Sequence, residues 1–249
     1  MAQPFSCVAL IPARAGSKRV PNKNTALLAG HPLMAYSIGA ALESGVFTAV
    51  IVSTEDERTA EIARNYGAEV PFMRPVEMAG DLSADIEWVT HALTFLRADG
   101  RLPECFSILR PTSPFRTAET IRRAFDAYTA DGRADSLRAM EPCVQHPGKM
   151  WVVRGDRALP LLPLSPEQRP WHSRPYQDLP RVHVQNASLE IARCATVFST
   201  GTISGHAVMP FFTEGAEGFD INSPRDWEEA VRMITEGRAL LPEPAAAMP

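Results

Sequence analysis

A chain of 249 residues, 45% hydrophobic and 22% charged, has the make-up of a globular protein and the length of one α/β domain with a small appendage. Its formal net charge of −4 gives no global basic field to attract nucleic acid or an anionic membrane, and no apolar run approaches bilayer-spanning length. Four cysteines with no CxxC pair argue against a zinc module or disulfide framework and suit a reducing cytoplasm.

Cys7 to Ala13 is a short, continuous apolar run, which predicts a central parallel strand. Met34, Ile38, Ala41 and Leu42 recur at helical spacing, and Ala49–Ser53 predicts a second strand. Thr54 and Glu57 suggest a capping box for a helix running to Tyr66 and stopping at Gly67. Glu69–Phe72 predicts a short strand, and Ser83 a cap for a helix whose buried stripe is Val89, Ala92, Leu93 and Leu96. A strand at Phe106–Leu109, a helix capped by Thr117 and a strand at Ser136–Met140 continue the alternation. The pattern predicts a doubly wound, mostly parallel sheet with helices on both faces.

The rhythm fails from Glu141 to Leu179, where prolines exclude helix interiors and central strands. We read residues 141–190 as an excursion from a single domain spanning 1–241, serving a partner subunit or the active site. An alternating strand at Val182–Arg193 ends the irregular stretch, Ser223-Pro224 opens the last helix, and residues 242–249 read as a frayed tail.

The stretch Arg14 to Asn24 carries the most chemistry. It holds Arg14, Lys18, Arg19 and Lys23, interleaved with Gly16, Ser17, Asn22 and Asn24, directly after the first strand. Open α/β sheets bind ligands at the carboxyl ends of their strands, and backbone N–H groups with cations neutralise a polyanion. Neither GxxxxGK[ST] nor GxGxxG is present, so this is not a P-loop and not a nicotinamide or flavin site.

These residues resemble the signature of the acylneuraminate cytidylyltransferases, which include CMP-sialic, CMP-legionaminic and CMP-pseudaminic acid synthetases, with CMP-KDO synthetases more distant. The resemblance continues in Val50-Ile-Val-Ser-Thr-Glu-Asp56, Arg74-Pro-Val-Glu-Met-Ala-Gly-Asp-Leu-Ser83 and Leu109-Arg-Pro-Thr-Ser-Pro-Phe-Arg116. His146-Pro-Gly-Lys149, Gln177-Asp-Leu-Pro180, Gln185-Asn186 and Asp220-Ile-Asn222 follow in the family's order. It implies transfer of CMP from CTP, with Mg²⁺, to the anomeric hydroxyl of an acidic nine-carbon sugar, in a homodimer whose arms approach the partner's active site. It implies Arg14, Ser17, Lys18 and Lys23 at the triphosphate, with Lys23, Arg14 and Asp220 catalytic. Asn24, Arg74, Asp81, Ser83, Pro111, Thr112 and Ser113 fall to the nucleotide. Lys149, Gln177 and Asn186 fall to the sugar, and Asp220 to the metal.

The sequence departs from the family pattern in three places. Arg110 replaces a Gln and is a candidate for the sugar carboxylate. Asn222 replaces the second acid of the metal motif, where an amide carbonyl can still serve as a hard oxygen ligand. Tyr176 stands where an Arg precedes the family's Gln, and Arg174 is the candidate to take over its role. A KDO cytidylyltransferase or other sugar nucleotidyltransferase, and a nucleotide-binding regulatory protein without catalysis, are the alternatives.

Overall fold

In the computed structural model, which describes residues 5–17, 19–165 and 167–244, the first apolar run becomes β1 (Cys7–Pro12). Its odd residues Cys7, Ala9 and Ile11 enter one core cluster and its even residues Val8 and Leu10 another, so the strand is buried on both faces. A two-stranded ribbon of β2 (Leu27–Leu28) and β3 (His31–Pro32) leads into α1 (Leu33–Ser44). Then come β4 (Ala49–Ser53), α2 (Glu57–Asn65), α3 (Asp85–Ala98), β5 (Cys105–Ile108) and α4 (Ala118–Asp131). The chain continues through β6 (Ser136–Pro142), β7 (Trp151–Arg154), β8 (Arg157–Pro160), β9 (His183–Arg193), α5 (Cys194–Thr200), β10 (Val208–Phe212) and α6 (Pro224–Thr235).

The central sheet has the strand order β10-β6-β9-β5-β1-β4. β1 runs parallel to both β4 and β5, and β9 lies antiparallel to β5. Helix α1 packs with α4, whose Ile121 and Ala124 line the first cluster, and α3 packs with α5 over the second. The sheet is therefore covered on both faces, as the alternation predicts. A third cluster joins Leu28, Leu33, Tyr36, Phe115, Ile221 and Ala230, seating α6 beside the loops that leave β1 and β5. The chain divides into two units, Met1–Ala139 with Asn186–Pro249, and Met140–Gln185. Residues 245–249 of the expected tail lie outside the described residues.

Several local expectations need correction. Asp56, not Thr54, caps α2: its carboxylate accepts from the Thr59 backbone N–H at 2.8 Å, and Thr54 is buried. Glu69–Phe72 forms a single bridge to Ile51 instead of a strand, since Pro71 has no N–H to extend the ladder. Ser83 does not cap α3. Ala84 takes that position, and the Ser83 hydroxyl donates to the Glu77 carbonyl and accepts from Gly80 N–H. Within the second unit, the stretch expected to be irregular contains the β7–β8 hairpin, turned at Gly155 with φ +59°. Its alternation is illegible because Trp151, Val152 and Val153 are all exposed, so no face of the hairpin is marked by burial.

The last helix begins as its Ser-Pro sequence predicts. Ser223 Oγ accepts from Asp226 N–H, the Asp226 carboxylate answers to the Ser223 N–H, and Pro224 fills the first turn. Removing the hydroxyl with Ser223→Ala should cost about 1 kcal/mol of stability. Urea unfolding should show a lower midpoint at unchanged slope; an unmoved midpoint would mean that the cap is not formed in solution.

Candidate active site

The carboxyl ends of β1, β4 and β5 open onto one edge of the sheet; the loop leaving β1 carries Arg14, Ser17, Lys23 and Asn24, and the loop leaving β5 carries Arg110, Pro111, Thr112 and Ser113. The first loop is shaped from within. Asn24 is buried and its amide nitrogen donates to the Arg14 carbonyl at 2.9 Å, closing the loop on itself. Asn22 takes a left-handed backbone at φ +51°, a conformation Asn tolerates, and its carbonyl accepts from the N–H groups of Thr25 and Ala26. Ala15 N–H donates to Glu55 at 2.8 Å, and the other Glu55 oxygen is buried without a hydrogen bond. A Cβ added at Gly16 would meet nothing within 4 Å, so the protein's own packing does not require glycine there. A polar cavity of about 440 Å³ adjoins this loop, lined by residues that include Arg14, Asn22, Asn24, Asp56 and Arg58.

Lys23 reaches across to the segment before α6 and donates to the Ile221 carbonyl at 2.8 Å. Ile221 N–H in turn donates to the Thr112 carbonyl at 2.9 Å, so Asp220-Ile-Asn222 is held between the loops that follow β1 and β5. Burial pushes the Lys23 ammonium below the usual lysine range; Asp220 opposes that shift, and Arg19 and Arg14 add to it. Asp220 accepts from the Asn222 amide on one oxygen, and its other oxygen is buried and unpartnered. Pro111 and Ser113 are buried, and the Ser113 hydroxyl also lacks a partner.

The cations at this edge have different settings. Arg14 donates to Asp81 at 2.9 Å and to the Ala79 carbonyl at 3.3 Å while remaining one-third exposed. Arg74 is 4% exposed. Its Nε and one terminal nitrogen bond Ser53 at the end of β4, and its guanidinium lies 5.0 Å from the centre of the Trp88 ring. Burial lowers Arg74 to about 10, with Glu55 and Asp85 opposing the shift. These contacts hold the guanidinium against the end of β4. Arg110, expected at a sugar carboxylate, is already paired: it grips Asp85, at 2.6 Å on the shorter arm, and Glu190 at 3.0 Å. Burial lowers its pKa, but these two carboxylates prevail and raise it. Ser17 lies in the first loop, its N–H bonded to the Ala15 carbonyl at 2.8 Å, and Lys18 lies outside the described residues.

The remaining sugar-side candidates separate. Asn186 belongs to the first unit and donates to Thr213 Oγ1 at 2.8 Å. Lys149, Arg174 and Gln177 belong to the second. There the Lys149 ammonium donates to the carbonyls of His172 and Arg174, Arg174 lies 3.3 Å from Glu167 and stacks on Trp171, and Gln177 is exposed in a short 3-10 turn.

Sequence reasoning missed Glu55, Asp85, Glu190 and Arg116. The first three are single acids in otherwise ordinary contexts, and only folding shows what they face. Arg116 ends the Pro-Thr-Ser-Pro-Phe-Arg run and is fully buried, donating to the backbone of Ser188 and Arg110 and to Ser37 Oγ. Its guanidinium ties the loop after β5 to β9 and α1.

Against this geometry, the chain matches the family described as Cytidylyltransferase over residues 8–147. It is 34% identical over 88% of its length to the CMP-N,N'-diacetyllegionaminic acid synthase of Legionella pneumophila, covering 92% of that protein. The chain belongs to the cytidylyltransferase family. It is thus an enzyme of that type, which removes the non-catalytic regulatory reading. It is also 44% identical over 121 residues to an Escherichia coli N-acylneuraminate cytidylyltransferase, covering 49% of this chain and 28% of that longer protein. A solved CMP-2-keto-3-deoxy-manno-octonic acid synthetase complexed with CTP shares the fold, with a TM-score of 0.66, 15% identity and coverage of 93% of this chain and 99% of that one. Among the described residues, no helix is long and apolar enough to cross a membrane.

Proposed function

We propose that this cytidylyltransferase transfers CMP from CTP to the anomeric hydroxyl of a nonulosonic acid of the sialic type. The observation that carries the reading is the junction at Ile221, where the Lys23 ammonium sits beside Asp220 at the mouth of a loop rich in cations and N–H groups. In the reaction, the anomeric oxygen attacks the α-phosphorus of CTP. A new P–O bond forms, the bond to the β-phosphate oxygen breaks, pyrophosphate leaves and the hydroxyl proton passes to solvent. Little covalent work falls to the protein, so its contribution is placement and charge.

Lys23 is desolvated and fixed before substrate arrives, so its charge needs little reorganisation as the leaving group gains charge. Arg14 and Ser17 join it at the triphosphate, with the open space in front of Gly16 leaving room for close approach. Thr112 and Ser113 are offered to the nucleoside, and Asn186 to the acceptor. The relatives named for legionaminic and neuraminic acids support the acidic nine-carbon acceptor over KDO. The structural neighbour supports the fold only.

The residues present fit Mg²⁺. Asp220 keeps one buried oxygen free of hydrogen bonds, and Asn222 adds an amide oxygen, both hard donors. Asp220 and Asn222 would hold the ion, which when bound neutralises phosphate charge. Among the described residues, no group of three or more His, Cys, Asp and Glu side chains is placed to hold a metal. The ion is therefore proposed to arrive with CTP, since Mg²⁺ commonly rests on one or two carboxylates plus substrate phosphates.

We also propose a cytoplasmic homodimer. The four cysteines are free thiols, and the second unit exposes Trp151, Val153, Leu159 and Leu162, apolar surface suited to a second copy of the chain.

The reading is tested by pyrophosphate release from CTP with sialic, legionaminic, pseudaminic and KDO acceptors, for wild type and Lys23→Ala. The nine-carbon acids should turn over ahead of KDO, and Lys23→Ala should lose about two to three orders of magnitude in kcat. Faster turnover of KDO, or a Lys23 variant close to wild type, would overturn it. For the metal, Mg²⁺ titration of initial rate at saturating CTP should show a lower half-maximal concentration for Asn222→Asp and near-abolished turnover for Asp220→Asn. An active Asp220→Asn with an unshifted Asn222→Asp would place the ion elsewhere. Light scattering should give the mass of two chains, with Val153→Asp moving it toward one; a monomeric wild type contradicts the dimer.

A further inference from the structure

Arg110 was the candidate for the acceptor's carboxylate, yet its hydrogen bonds lead in another direction. Two acids already neutralise its guanidinium, and one of them, Glu190 on β9, is itself bonded to Arg138 on β6 at 3.0 Å. Two arginines and two carboxylates leave this cluster without net charge, a poor lure for a further carboxylate.

Asp85 is the first residue of α3 and also accepts from the Trp88 indole N–H at 2.9 Å. Gripping Asp85 therefore fixes the start of α3 against the loop after β5. The segment that runs into that start, Ala79 to Asp85, passes the first loop, where the Ala79 carbonyl and the Asp81 carboxylate both accept from Arg14. Ser83 stiffens the segment from inside through Gly80 and Glu77. A path thus runs from Glu190 through Arg110 to Asp85 by polar contacts, along the backbone of the strap, and by polar contacts again to Arg14, entirely within the first unit.

We propose that Arg110 is a positioning residue for nucleotide binding: it anchors the strap 79–85, and the strap aims Arg14 at the triphosphate. The inference rests on the reading of Arg14 as a triphosphate ligand. Arg110 does not contact the acceptor acid. Its effect is felt on the CTP side, although it stands where the family's pattern has a neutral Gln.

The test is direct CTP binding by calorimetry, together with KM for CTP and for the acceptor acid. The variants are Arg110→Gln, Asp85→Asn, Arg14→Ala and the double variant Arg110→Gln/Arg14→Ala. Arg110→Gln should weaken CTP binding and raise its KM about tenfold, the scale of one charge-assisted contact, and leave the acceptor KM within about twofold. Asp85→Asn cuts the same link from the other side and should show the same split, which covers the case in which Arg110→Gln fails to fold. In the Arg14→Ala background, Arg110→Gln should have no further effect on CTP binding, because coupled residues are not additive. A purely structural role would give additive losses, and that result overturns the inference. So does a raised acceptor KM with unchanged CTP binding, which would put the guanidinium on the sugar acid. If Arg14→Ala itself leaves CTP binding intact, the triphosphate reading has failed. If Arg14→Ala weakens CTP binding and neither Arg110→Gln nor Asp85→Asn does, only the positioning role has failed.

Discussion

The hydrogen bond from Lys23 to the Ile221 carbonyl joins chain segments 198 positions apart, and the architecture of the site hangs on it. Without that bond, the first loop would be a basic excursion in solvent and Asp220 part of an ordinary helix entry. With it, a desolvated ammonium and a carboxylate with one unpartnered oxygen share one edge of the sheet. A half-buried cation needs compensation, and the protein supplies it from a backbone carbonyl and a neighbouring acid, with no direct ion pair to Lys23 among the described residues. Ile221 is itself locked in the third hydrophobic cluster and by its N–H bond to Thr112. The position of the charge is therefore set by packing.

Parallel pairing of β1 with β4 and β5 explains why these loops meet. All three strands present their carboxyl ends to one edge, and the first, second and third loops emerge there side by side. Side chains then secure the backbone, within a loop where Asn24 holds Arg14 and Arg116 holds Arg110, and between segments where Glu55 holds Ala15 and Arg74 holds Ser53. Arg116 is the extreme case. No carboxylate pairs with it among the described residues, and burial alone holds it well below the usual arginine range. Its role is to satisfy backbone oxygens of β9 and the β5 loop that burial would otherwise leave without donors.

The elements legible in the sequence were those whose burial is uniform or periodic. β1 is apolar on both faces, α3 and α4 carry clear stripes, and Ser223-Pro224 announces α6 chemically. The failures have physical reasons. Asp56 and Thr54 are both competent caps, and only the path of the chain decides between them. The β7–β8 hairpin has no buried face, so alternation carries no signal. In the site, the cation-rich loop was legible because so many charges after a buried strand have no packing explanation. What could not be read was which cations are already engaged. That depends on acids distant in sequence: Arg110 meets Glu190 and Arg14 meets Asp81 only after the strands have paired.

Burial and pairing then grade the arginines of this edge by how tightly each is held. Arg14 and Asp81 are each more than one-third exposed, and such a pair is worth about 0–1 kcal/mol because water screens it. Arg14 thus keeps open surface beside Asp81 while both contacts to the strap hold it in place. Arg110 sits between two acids with Glu190 nine-tenths buried, and pulling it away would strand a desolvated carboxylate. Arg74 is closed in by Ser53 and the Trp88 ring. Of these three arginines along one edge, the most weakly held is therefore the one with the most open surface, and the tightly held pair fix the edge on which it stands.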